Sequence, residues 1–167
     1  MHTAPCNPSR FGQWLGVMLF AVAMAWIESA VVLYLRTLSQ QFDPYAPFQQ
    51  PLGADLLRAE MVREAATLVM LGSVGWLAGR TWRTRMALAI VAVGPWDIFY
   101  YIFLVPLTGW PRSLLDWDIL FLLPLPWWGP VLAPTLIACL MIAGGTLVAL
   151  RDSPEQPIAP SRYSLLT

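Results

Sequence analysis

Lysine is absent from this sequence of 167 residues, histidine occurs once, at His2, and cysteine twice, at Cys6 and Cys139. Each scarcity excludes something. Ten arginines balance ten acids, so there is no basic excess and no nucleic-acid partner is expected. A lone histidine in a leader removes His-based metal sites and most His catalysis. One cysteine lies in a polar leader and the other inside an apolar run, which predicts no disulfide. HExxH, GxSxG, P-loop and paired CxxC motifs are missing, as is the arginine ladder of a voltage sensor. Charge itself is scarce: 12% of residues are charged and 57% hydrophobic, against about 25% and about 45–50% in a soluble domain. The partner such a composition predicts is a lipid bilayer.

A bilayer core of about 30 Å takes roughly 20 apolar residues in helical form, because lipid offers the backbone no hydrogen-bond partner. Four stretches reach that length: 11–35, 56–79, 86–107 and 129–150. The segment 114–128 is apolar but broken at Pro124 and Pro126, and as a helix it would reach only about 22 Å. The expected fold is therefore an all-α integral membrane protein with four transmembrane helices and a short Pro-broken segment, re-entrant or interfacial, before the last helix. Residues 1–150 form one polytopic domain on this reading. The tail over 151–167, with Pro154, Pro157 and Pro160 and no apolar periodicity, is expected to be disordered. Ala21-Val22-Ala23 and Ala23-Met24-Ala25 resemble signal-cleavage sites, yet apolar residues continue well past Ala25, which predicts an uncleaved first helix.

Arginine placement sets the expected orientation. Arg80, Arg83 and Arg85 cluster between the second and third spans, Arg10 precedes the first, and Arg151 follows the last. These segments should be cytoplasmic. Both termini then lie inside a bacterial-type plasma (inner) membrane, with the connections 36–55 and 108–128 outside.

Small residues at helical spacing supply close helix contacts. Gly12 and Gly16 form one GxxxG, Gly75 and Gly79 another; Ala21, Ala25 and Ser29 make a stripe on the first helix, and Thr135, Cys139 and Ala143 one on the last. Packing within the bundle is the expected use, with a homo-oligomer or a larger membrane complex left open. Trp14, Trp76 and Trp82 fall near one membrane edge and Trp110 and Trp117 near the other, as an aromatic belt. Trp26 and Trp96 lie deeper, beside Glu28 and Asp97, and are candidate pocket walls or core fillers.

The acids carry the functional reading, because a charge in hydrocarbon is costly and marks a site by default. At 1.5 Å per residue, Glu28 lies about 10 Å from the outer end of its span, Glu60 and Glu64 about 6 and 12 Å, and Asp97 about 15 Å. Glu60, Arg63, Glu64 and Thr67 share one helix face at spacings of three and four. Gly94-Pro95 precedes Asp97, where a proline frees a backbone carbonyl and kinks the helix, and Tyr100 and Tyr101 follow at the next turn, ready to donate to a carboxylate. The candidate ligand-binding set is Glu28, Arg63, Glu64, Asp97, Tyr101, Trp26 and Trp96. Asp116 and Asp118, if extended, face one side and are candidate ligands for a divalent cation; no organic cofactor is identifiable. The competing structural account pairs Arg63 with Glu28 or Asp97 to fix helix register and leaves Glu60 solvated at a helix N-terminus. Three functions follow: an outward-facing carboxylate pocket for a cation, proton or amphiphile, serving a carrier or an enzyme; a non-catalytic accessory subunit; and, last, a lipid-headgroup enzyme with a divalent ion at Asp116 and Asp118 near Arg112.

Overall fold

The computed structural model describes residues 9–38, 54–121 and 127–151. Four helices account for most of them: α1 (Arg10–Leu38), α2 (Ala54–Ala78), α3 (Trp82–Thr108) and α4 (Leu132–Arg151). All four are long and apolar enough to cross a membrane. Their outward faces are apolar too, with Leu19, Leu77 and Leu140 all exposed. The leader holding His2 and Cys6, most of the connection 36–55 and the tail beyond Arg151 lie outside the described residues.

α3 is the centre, packing extensively on α1, α2 and α4, whereas α1 meets α2 and α4 far less. Small residues make these approaches possible. On α1, Val17, Ala21, Ala25 and Ser29 recur every four residues and are all at most 1% exposed. A Cβ at Gly75 would stand 2.2 Å from the Ala89 amide nitrogen, one at Gly94 2.9 Å from the Ala138 carbonyl, and one at Gly145 2.9 Å from the Ala87 carbonyl. Gly75 therefore seats α2 on α3, and Gly94 and Gly145 seat α4 there. Not every stripe is used. Gly12 and Gly16 are exposed, and a Cβ on Gly16 would meet nothing within 4 Å. On α4, Cys139 and Ala143 face outward; Pro134, Ala138, Gly145 and Ala149 form the buried face, one residue, or about 100°, from the expected stripe.

Two boundaries differ from the hydropathy reading. The connection between α2 and α3 is shorter than 80–85, because Thr81 caps α3: its hydroxyl accepts from the Thr84 amide at 3.1 Å while the Thr84 hydroxyl accepts from the Thr81 amide at 2.9 Å. Arg83 and Arg85 thus belong to the first turn of α3. Arg85 also donates to the Gly79 carbonyl and stacks on Trp76, with 4.7 Å to the ring centroid. The fourth span begins at Leu132 rather than Gly129, since 129 and 130 belong to a strand.

That strand departs from the all-helical expectation. β1 (Trp117–Phe121) and β2 (Trp127–Pro130) pair antiparallel, with Asp118 opposite Gly129 and an irregularity between Ile119 and Phe121. Pro124 and Pro126 lie outside the described residues. The hairpin is stitched to α4 by the Val131 amide donating to the Asp116 carbonyl at 3.0 Å and the Leu132 amide to Leu114 at 2.8 Å. Beneath it Tyr101, Leu104, Trp110 and Val131 form a second buried cluster beside the main core of Val17, Ala21, Leu71, Val91 and Trp96. The bundle thus has a hairpin end and, opposite, an arginine end carrying Arg10, Arg80, Arg83, Arg85 and Arg151.

Candidate functional site

The acids of α1, α2, α3 and β1 gather toward the hairpin end as two clusters. The first joins α1 to α2. Arg63 donates through Nη1 to Glu28 Oε1 and through Nη2 to Glu60 Oε1, and its Nε reaches the same Glu60 oxygen at 2.8 Å. The other Glu28 oxygen accepts from the Thr67 hydroxyl at 3.3 Å. Glu28, Glu64 and Thr67 are all buried. The i, i+3 spacing of Glu60 and Arg63 on one helix face brings them together, and Glu28 completes the set from α1. Glu60 is thus tied to Arg63 instead of left in solvent. Both Glu28 oxygens are engaged, the condition under which a buried charge is tolerated.

The second cluster joins α3 to the hairpin. The Tyr101 hydroxyl donates to Asp118 Oδ2 at 3.2 Å, and Asp118 Oδ1 accepts from the Ile119 amide at 2.8 Å. Gly129, opposite Asp118 in the ladder, puts no side chain on that face. Burial pushes the Asp118 carboxyl up to about 6, against the opposing pull of the Tyr101 hydroxyl, the Ile119 amide and the charge of Arg36. Asp97 lies within Coulombic range of Asp118. Its Oδ2 is buried and receives no hydrogen bond among the described residues. Tyr100 connects the clusters, lying in the field of Asp118, Arg36, Glu28 and Arg63. Its backbone carbonyl accepts from the Ser29 hydroxyl at 2.9 Å.

Several residues stand where sequence reasoning did not put them. Tyr101 serves Asp118, not Asp97. Asp116 and Asp118 have different partners: Asp116 Oδ2 closes the turn before β1, accepting from the Arg112 and Ser113 amides at 2.8 and 3.2 Å, while Asp118 Oδ2 accepts from Tyr101 of α3. Among the described residues no three His, Cys, Asp or Glu side chains group as metal ligands. Trp26 is half exposed and stands edge-on to Phe103; Trp96 is buried in the main core. Gly94 and Pro95 are both buried, and Gly94 meets Ala138 and Ile142 of α4. Arg36 was not singled out, although it falls seven residues after Ser29 on the same face of α1. It stacks on Trp110, 5.3 Å from the ring centroid.

A concavity lies elsewhere. A groove of about 380 Å³ lies at the arginine end, between Trp14 of α1 and the last turns of α4. No protein-family model matches the chain, and no curated protein or solved structure resembles it.

Proposed function

We propose that the protein is a polytopic integral membrane protein of a bacterial-type plasma membrane, with both termini cytoplasmic, whose outward-facing hairpin end binds a cation or a proton between Asp97 and Asp118. One observation carries this reading: the buried Asp97 oxygen without a hydrogen-bond donor among the described residues, in the field of a second carboxylate. A carboxylate oxygen buried without a donor is costly to keep charged, and a proton or a cation relieves that cost. Tyr101 orients Asp118, and the Glu28, Arg63 and Glu60 group fixes the helices around the site. The membrane assignment is supported by four apolar helices, and the orientation by the arginines at one end.

The test is thermal unfolding of the detergent-solubilised protein across pH and with added Na⁺, K⁺, Mg²⁺, Ca²⁺ or methylammonium, parent against Asp97→Asn. The expected result is a stabilisation of the parent by one cation, or by low pH beyond the part that Asp118 contributes, that the amide variant loses without losing basal stability. A parent indifferent to both, or a variant that simply unfolds sooner, defeats the proposal.

A second reading, a non-catalytic subunit of a larger membrane complex, is favoured by Gly12 and Gly16, a small-residue face left open on α1. Its expected sign is co-purification with larger membrane proteins, lost when Gly16 becomes leucine.

A further inference from the structure

The groove at the arginine end is built differently from the acidic end, and the chemistry of its rim points to an occupant. Its walls are apolar, supplied by Trp14, Ile142, Ala143 and Leu147, and its mouth holds Arg151. Arg10 comes to the same mouth, its Nη1 reaching the Leu150 carbonyl at 3.4 Å. Two guanidinium groups thus stand over an apolar slot with no acidic side chain lining it among the described residues. Within it Trp14 Nε1 donates to the Thr146 hydroxyl at 2.9 Å. As acceptor in that bond, the hydroxyl keeps its own proton to donate. The volume, about 380 Å³, falls near the lower end of the roughly 300–1,000 Å³ range of ligand pockets.

We infer that this groove binds one anionic phospholipid, its phosphate held by Arg10 and Arg151 and the first part of an acyl chain laid between α1 and α4. Positive charge at the mouth, an apolar floor and a tryptophan at the boundary match such a lipid end to end. Guanidinium groups suit phosphate through paired donors. A zwitterionic lipid carries its own cation and gains little from the two arginines. The inference rests on the membrane reading above but not on the Asp97 site, which lies toward the opposite end.

Native mass spectrometry of the full chain in detergent, titrated with phosphatidylglycerol or with phosphatidylcholine of the same acyl chains, tests it. The parent is expected to bind the first about tenfold more tightly. Arg10→Gln with Arg151→Gln brings the two lipids to parity; Ala143→Phe, which fills the slot, weakens both. Arg80→Gln with Arg83→Gln, on the neighbouring turn, leaves the preference intact. Equal binding of both lipids by the parent overturns the inference, as does a preference lost with the Arg80 and Arg83 pair instead, or one unchanged by filling the slot. Fractionation of membranes at high pH separates the two levels: a chain released by alkali defeats the membrane reading, whereas a retained chain with equal lipid binding defeats only this site.

Discussion

Glu28 and Asp97 are both acids within apolar helices, packed against the same central bundle, yet their surroundings are opposite. Glu28 has an arginine on one oxygen and a threonine hydroxyl on the other. Asp97 has a buried oxygen with no donor among the described residues and a second acid in its field. The first arrangement is a tie between α1 and α2, since the attraction and hydrogen bonds offset the desolvation of the charges. The second is destabilising as it stands, and under the proposed function a proton or a cation neutralises it. Acidity and depth alone therefore do not separate a structural tie from a candidate site; the accounting of the oxygens does.

The sharpest way to break this contrast is Arg63→Gln. It leaves Glu28 and Glu60 without their cation and is expected to cost about 3–5 kcal/mol, read as a lowered unfolding midpoint in detergent. Adding Glu28→Gln should recover part of the loss, so that the double variant is less unstable than the two effects summed. The next effect is a pH dependence. Because the folded-state value of Asp118 is raised, to about 6 from an ordinary 3.8, its penalty is absent below the ordinary value and complete above the raised one. Stability should fall as pH rises from about 4 to about 6, by on the order of 3 kcal/mol, and a parent-minus-Asp118→Asn difference curve isolates it. Asp97→Asn should be neutral or stabilising by about 1–2 kcal/mol near pH 7; a clear loss would make Asp97 a tie like Glu28. Smallest is Tyr101→Phe, at about 0.5–1 kcal/mol. Removing a donor to the Asp118 carboxylate should also move the pH transition upward.

The four helices were legible because a long apolar run has one physical solution in lipid, and their ends lie within about three residues of the hydropathy reading except at the start of α3. Thr81 moved one boundary by a local hydrogen-bond pattern that hydropathy does not register. The Glu60 and Arg63 pairing followed from helical spacing, but the choice of Glu28 over Asp97 as the third member did not. That choice depends on how α1 and α2 rotate about α3, which the Gly75 contact on α2 and the buried Val17, Ala21, Ala25 and Ser29 face of α1 set. The hairpin was hidden in an apolar stretch whose length suited a helix fragment and a strand pair equally. With it were hidden the partner of Tyr101 and the different hydrogen-bond partners of Asp116 and Asp118. Arg36 carried a signal, its seven-residue spacing from Ser29, but a charge in the last turn of a helix reads first as an interfacial anchor.

The central position of α3 has a consequence for how the chain is made. Synthesis delivers α1 and α2 before α3 exists, and domains assemble as their parts emerge. At that stage the surfaces that will clasp α3, from Val17 to Ser29 on one helix and around Leu71 and Gly75 on the other, have nothing to hold. Both partners of the charged contact between Glu28 and Arg63 belong to that first pair. A contact that needs no part of α3 can set the relative rotation of the first two helices before the third arrives.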